Sequence, residues 1–431
     1  MTKRLDFLLF RFLAGIRHRL TRRCTRAGAL ALVVVAVSAG IGVDTTMTLT
    51  YQIFTFSVAL VLVGIAGAWT FRGKFAVRRV LPDFATVGEP LVYRVEITNH
   101  GRNTQAGLRV LETLVDHRPN WDAFSREPGK SFAAWKRLLS RNVVSRIPES
   151  ELPPLAPGET VRITKEFVPS RRGAIEFESV TVARCDPFGL FKGFVHVRAR
   201  QTMLVLPRRY TVPEIALPGF RRYQHGGVTQ ATSVGDSEEF LGLRDYRDGD
   251  PLQRIHWKSF ARVGKPIVKE YQDEFFERHA LALDTFSEDE EIVEEAVSVA
   301  ASLACTVDTQ ESLLDLLFVD GTSYCYTLGR GQHHVESLLE VLAHVRSSAP
   351  QGFSELHDAV VGRRPELSGC VLLFAAWDAQ RRALVESLQA SGLPVLAFVI
   401  SRATDASTDT DFPDRIHPLS LGHIQEGLVS L

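Results

Sequence analysis

With 431 residues the chain has room for about two or three domains. A hydrophobic share of 45% against a charged share of 23% provides for packed cores and excludes global disorder, while a formal net charge of +0 argues against a nucleic-acid binder working through a generally basic surface. Five cysteines, Cys24, Cys185, Cys305, Cys325 and Cys370, stand far apart with no C-x-x-C spacing, which fits a reducing compartment better than a zinc site or a disulfide framework.

Residues 1–26 read as a basic cytoplasmic leader, with Lys3, Arg4, Arg11, Arg17, Arg19, Arg22, Arg23 and Arg26. Residues 27–72 hold two apolar runs, about 27–43 and 49–71, separated by Asp44, Thr45 and Thr46. Each approaches the roughly 20 residues a helix needs to cross a hydrocarbon core. Arg72, Lys74, Arg78 and Arg79 follow the second run. Positive charge on both flanks and none in the loop predicts a transmembrane helical hairpin with both ends cytoplasmic. The rival is a secretory signal cleaved near Val37, Ser38 and Ala39; the long basic leader and the second run favour the uncleaved hairpin. The expected location is the bacterial cytoplasmic (inner) membrane, multi-pass, with the bulk of the chain facing the cytoplasm.

Residues 75–207 change to short alternating runs, as at 91–97, 161–164, 175–177 and 180–182. Period-two alternation punctuated by Gly, Pro and Asn predicts a small β-sandwich, with no cluster of chemically active side chains inside it. Asp186 and Pro187 suit a turn with Phe188 and Phe191 folded under it. A helical insert is expected near 116–150, where Phe132, Trp135, Leu138 and Leu139 share one side beside Lys130, Lys136, Arg137 and Arg141. It packs on the sandwich or lies on an anionic membrane surface. Residues 208–235 read as a linker.

From 236 to 431 the pattern alternates strand and helix: strands at 280–284, 313–319, 324–327, 371–375 and 395–400, helices at about 292–307, 332–347 and 380–391. That alternation implies a mostly parallel sheet covered on both faces. Sites in such sheets form beyond the carboxyl ends of strands, where Asp284 and Asp378 fall.

Ahead of this domain, residues 236–273 combine both signs of charge with aromatics: Leu243, Arg244, Tyr246, Gly249, Asp250, Arg254, Ile255, Trp257, Ala261 and Arg262. These resemble the signature of the bacterial family known as domain of unknown function 58 (DUF 58), roughly L-R-x-Y-x-P-G-D-x-x-R-x-I-x-W-x-x-x-A-R. Asp248 replaces the usual proline and His256 a common acid. Upstream, Pro157, Gly158 and Glu159, Arg172 and Gly173, the turn at 186–191, and Leu206 with Pro207 extend the likeness. Members of that family are often associated with MoxR-type AAA+ ATPases, so the resemblance implies such a partner.

The carboxy-terminal part resembles a von Willebrand factor A domain, whose Asp-x-Ser-x-Ser loop holds magnesium through hard oxygen ligands. Here Phe286 and Glu288 stand at the two serine positions, and Ser287 is out of register. Asp284, Ser287 and Asp378 are thus degenerate metal candidates, and a degraded site kept as scaffolding is the expectation.

No phosphate-binding G-x-x-x-x-G-K-[ST], H-E-x-x-H or G-x-S-x-G occurs. His333 and His334 are adjacent on a helix and point apart. Asp250, His256 and Lys258 are possible acid–base machinery, but Arg244, Asp245, Asp250 and Arg254 are expected to pair with each other while Trp257 anchors the segment. The resulting expectation is a multidomain, membrane-anchored interaction or scaffold protein with no catalytic residue, no nucleic acid and no resident cofactor. Arg244, Tyr246, Gly249, Asp250, Arg254, Trp257, Ala261 and Arg262 form its docking surface for the ATPase. A metal-assisted envelope hydrolase using Asp284, Asp378 and His256, or a purely structural envelope protein, is the alternative.

Overall fold

A computed structural model describes residues 2–41, 48–115, 121, 124, 147–213, 239–250, 252–272, 277–306, 312–319, 323–328, 332–348, 352–402 and 415–430. Most of the helix expected near 116–150, with Phe132, Trp135, Leu138 and Leu139, therefore lies outside the described residues, as does the linker beyond residue 213. The chain divides into two compact units, Met1–Leu206 and Pro207–Leu431.

The first unit opens with three helices: α1 (Thr2–Arg23), α2 (Arg26–Ile41) and α3 (Thr48–Trp69). The basic leader is thus helical. Among the described residues one helical segment, Tyr51–Trp69, is long and apolar enough to cross a membrane. The run expected to form the other arm of the hairpin gives α2, with 16 residues. Residues 42–47, which follow it, lie outside the described residues.

Eight strands follow: β1 (Phe75–Val80), β2 (Phe84–Thr86), β3 (Leu91–Asn99), β4 (Leu108–Leu114), β5 (Ser150–Glu151), β6 (Thr160–Phe167), β7 (Gly173–Cys185) and β8 (Lys192–Leu206). They make one sheet of order β1-β3-β6 and another of order β2-β8-β7-β4-β5. Alternation decides the faces. In β3, Tyr93, Val95 and Ile97 turn inward while Val92 and Arg94 face out. These side chains share one apolar core with Val110 of β4, Phe177, Val180 and Val182 of β7 and Val205 of β8. That core also encloses charge. Arg79 and Glu112 are fully buried and paired at 2.6 Å, with Arg79 lying over the Phe177 ring. Lys165 donates to the carbonyls of Val110 and Pro148 at 2.9 and 2.8 Å, and burial pushes its pKa down to about 8.

The turn joining β7 to β8 is seated against the helices. Asp186 is buried and accepts from the amides of Phe188 and Phe191 at 3.0 and 2.6 Å. The Thr25 hydroxyl donates to the Gly189 carbonyl at 2.6 Å, and the Thr25 amide to Leu190 O at 3.0 Å. Gly28 permits this approach, because a Cβ there would stand 2.1 Å from Leu190 O. The Phe188 ring is exposed rather than folded under the turn; the amides of Phe188 and Phe191, bonded to Asp186, close the turn without that ring.

The second unit contains a two-stranded antiparallel ribbon, β9 (Glu239–Asp245) with β10 (Ile267–Gln272), enclosing a short helix α4 (Trp257–Val263). A six-stranded sheet follows. Its elements in chain order are β11 (Glu277–Leu283), α5 (Glu290–Thr306), β12 (Ser312–Val319), β13 (Ser323–Leu328), α6 (Gln332–His344), α7 (Phe353–Arg363), β14 (Gly369–Phe374), α8 (Ala379–Ala390), β15 (Val395–Ser401), β16 (Ile416–Ser420) and α9 (Ile424–Val429). The strand order is β13-β12-β11-β14-β15-β16, parallel except for β13 against β12. Every residue of β14 is buried, as expected of a strand covered on both faces. Phe353, Leu356 and Val360 of α7 and Leu384 and Leu388 of α8 pack on Ala282, Leu372 and Ala397 of the sheet.

The turn-to-helix seating yields a direct test. Gly28→Ala forces the helix and turn apart and is expected to lower stability by ~1–3 kcal/mol in thermal unfolding of the detergent-solubilised chain. Gly40→Ala on the same helix meets nothing within 4 Å and is expected not to lower it.

Candidate functional site

Two places carry the residues singled out by the sequence, and both lie in the second unit. The first is the carboxyl end of β11. Because β11 pairs with β12 on one side and β14 on the other, the strand order reverses there, opening the crevice in which parallel sheets place their sites. Asp284 sits at that point with no exposed surface. Its carboxylate accepts from the Phe286 amide at 2.9 Å, the Ala375 amide at 3.1 Å and Nε of Arg381 at 2.7 Å.

Arg381 is the residue sequence reasoning missed. Its Nη2 donates to the Phe286 carbonyl at 3.1 Å, its Nη1 pairs with Asp378, and its guanidinium lies 4.6 Å from the centre of the Phe353 ring. Asp378 also caps α8, accepting from the Arg381 amide at 3.0 Å. Burial pushes the Asp284 carboxyl up from its ordinary range, and the guanidinium and two amides pull it back. For Arg381 burial works against the charge, but the bonds to Asp284 and Asp378 raise its pKa.

The structure therefore brings Asp284 and Asp378 together, around an arginine. Magnesium does not fit these residues. A fixed cation already meets both carboxylates, and the Asp284 lone pairs are directed at two amides and a guanidinium. Ser287 is spent elsewhere, its hydroxyl accepting from the Asp289 amide at 3.1 Å. Thr285 donates to the Val319 carbonyl at 2.9 Å. Among the described residues no three His, Cys, Asp or Glu side chains gather to hold a metal.

The second place is the ribbon. Arg244 on β9 forks onto Asp250, with Nη1 and Nη2 at 2.7 and 2.8 Å from its two oxygens. The Arg247 amide adds a third bond at 2.9 Å. The bond from Arg244, then that from Arg247, holds the Asp250 carboxyl down at about 2. Gly249 stands between them at φ 105°, a conformation that admits glycine and strains other residues. The Tyr246 amide donates to Pro266 O at 3.0 Å, and the His256 amide to Ile267 O at 2.8 Å. Ile255 bridges to Val268, and both are buried.

Past this closure the chain turns outward. Helix α4 buries no residue. Trp257 is 63% exposed and meets Phe260 edge-on at 5.9 Å; Leu252 and Val263 are 66% and 58% exposed. Lys258, Ala261 and Arg262 are exposed as well. Trp257 thus does not anchor the segment, because Ile255 and Val268 supply the buried contact instead. Asp245 stands exposed outside the Arg244–Asp250 pair. The Arg254, His333 and His334 side chains lie outside the described residues. His256 bonds Ser259 three residues on at 2.6 Å, and neither Asp250 nor Lys258 joins it in an acid–base constellation.

Residues 242–374, which hold most of the ribbon and Asp284 but stop short of Asp378 and Arg381, match the family model described as "Protein of unknown function DUF58". The chain is also 26% identical over 198 residues to "Uncharacterized protein YeaD" of Bacillus subtilis (strain 168), covering 44% of this chain and 48% of that one. The chain thus spans about half the length of that relative. Both likenesses support membership of the DUF58 family. Among solved structures, the CARDB domain of PF1109 from Pyrococcus furiosus is 15% identical, covering 32% of this chain and 91% of that domain, at a TM-score of 0.20. Red sea bream transglutaminase is 17% identical, covering 31% of this chain and 15% of that one, at 0.19. Scores at that level carry no argument about fold or activity.

Arg381→Met leaves the Asp284 carboxylate buried without its guanidinium. It is expected to lower stability by ~3–5 kcal/mol in chemical denaturation. Adding Asp284→Asn in the same chain is expected to recover part of the loss, since the uncompensated charge is then gone.

Proposed function

We propose that this chain is a membrane-anchored interaction protein whose ribbon, residues 239–272, docks a MoxR-type AAA+ ATPase in assembly or maturation of a membrane or envelope complex. The observation that carries this reading is the outward-facing helix α4. A residue as apolar as Trp257 is kept in water beside Leu252, Phe260 and Val263, among Lys258 and Arg262, on a base closed by the Arg244–Asp250 fork. Exposed aromatics ringed by cations on a rigid base are the composition of a protein-binding hot spot. The ATPase as partner comes from the family resemblance.

The rest of the reading is coarser in its support. α3 serves as the membrane span and α2 as its shorter partner, so that the chain is multi-pass in the cytoplasmic membrane with its bulk on the cytoplasmic side; the cationic flanks support that orientation. The two sheets of the first unit act as a β-sandwich spacer. The six-stranded sheet, with its antiparallel edge strand and a buried acid after its first strand, supports a von Willebrand factor A-like domain, locked by Arg381 in place of a metal.

The test is recovery of the ATPase with tagged, detergent-solubilised chain from its own cells, with and without ATP. Trp257→Ala or Arg262→Glu is expected to cut recovery by roughly tenfold or more. Val429→Ala, at an exposed apolar residue far along the chain, is expected to leave it unchanged. Undiminished recovery with a folded Trp257→Ala chain overturns the proposal.

A further inference from the structure

Helix α1 carries two apolar sides, and the first unit covers one of them. With about 3.6 residues per turn, Phe7, Phe10 and Ala14 fall on one side and Leu8, Leu9 and Phe12 on the opposite one. The first set is satisfied by protein: Phe7 and Phe10 meet the Phe124 ring at 5.6 and 6.5 Å, and Trp121 stands edge-on to Phe7 at 5.6 Å. The second set is left in the open, with Leu8, Leu9 and Phe12 exposed by 61%, 53% and 64%.

Charge selects what covers that side. The helix holds Lys3, Arg4, Arg11, Arg17, Arg19, Arg22 and Arg23 against a single acid, Asp6. Some of these cations tie the helix to the protein. Arg22 donates to the Thr113 hydroxyl at 3.1 Å and to the Glu112 carbonyl at 3.3 Å, and Arg4 lies over the Trp121 ring. Arg11 is exposed beside Phe12. Only Cys24 and Thr25 separate α1 from the apolar α2.

We propose that α1 is an interfacial helix that lies on an anionic lipid surface, inserting Leu8, Leu9 and Phe12 among the acyl chains while Arg11 meets the headgroup phosphates. An amphipathic helix with a cationic polar side and Leu and Phe on the other binds lipid by apolar burial plus attraction to anionic headgroups. A second protein surface would have to cover the apolar residues and match this excess of cations as well. A lipid surface does both and is contiguous with the chain's own apolar helices. The proposal rests on the reading of α3 as a membrane span. It adds a function to α1: clasped between lipid on one side and Trp121, Phe124 and β4 on the other, it fixes how the first unit stands on the membrane.

The experiment uses the full chain, its native cysteines replaced by alanine, reconstituted in vesicles of phosphatidylcholine alone or mixed with phosphatidylglycerol. An environment-sensitive fluorophore is placed at Phe12→Cys in one preparation and at Leu62→Cys, an exposed position on α3, in another. The expected result is a blue-shifted probe at position 12 that brominated acyl chains quench, with several-fold less quenching when phosphatidylglycerol is omitted. Position 62 is expected to be quenched in both lipids. A water-like probe at position 12 beside a quenched position 62 overturns the proposal and leaves the membrane span standing. A probe at position 12 that is shielded but not quenched places protein, such as a second copy, on that side and also overturns it. Loss of quenching at position 62 shows instead that the span itself is misread.

Discussion

A carboxylate with no exposed surface, at the point where a parallel sheet reverses its strand order, sets the terms for the carboxy-terminal half of this chain. Burying such a charge costs several kcal/mol unless it is paired and fully hydrogen-bonded. Asp284 receives Arg381 and the amides of Phe286 and Ala375. Those bonds fasten the end of β11 to the strand end after β14 and to the first turn of α8. The crevice where such sheets bind ligands is thus filled by the chain's own side chain. The same Arg381 that meets both carboxylates also ties the segment after β11 to α8. What remains open to a partner is surface, and the ribbon that precedes β11 has the composition for it.

A comparable economy governs the first unit. Asp186 is spent on closing a turn, and the turn on gripping the helices through Thr25 and Gly28. Arg79 with Glu112, and Lys165 with two carbonyls, keep charge inside the two-sheet core without leaving it unpaired. Such buried polar contacts are costly to break and so favour one arrangement of the strands over its neighbours. The sheets hold the turn, the turn holds the helices, and α1 adds its own grip through Arg22.

Much of this was legible because it obeys periodicity. The alternation at 91–97 placed Tyr93, Val95 and Ile97 inward, and the apolar runs at 371–375 and 395–400 are strands of the central sheet. Of the four charges in the signature window expected to pair with each other, Arg244 and Asp250 meet, a fork and a carboxylate six residues apart across a glycine turn, while Asp245 stands outside the pair. Side-chain destinations over long sequence separation were not legible. Asp284 and Arg381 are 97 residues apart, and nothing local joins them. One signal did exist: an arginine in the first turn of a helix opposes the helix dipole, and such a breach of local rule marks a side chain with business elsewhere. Trp257 misleads in the opposite way. Hydrophobicity predicts burial, but among the described residues the short helix that carries it buries none of its side chains. The helical content of the leader is masked in the sequence by its charge, which interrupts its two apolar sides.

The outward side of α4 is the surface on which a partner is expected to bind. A photo-reactive phenylalanine analogue in place of Trp257, activated in the cells that make the protein, tests this directly. The prediction is an ATP-dependent covalent adduct between position 257 and an AAA+ ATPase, absent when the same analogue replaces Val429. Equal labelling from both positions, or adducts at position 257 with lipid alone, would contradict it.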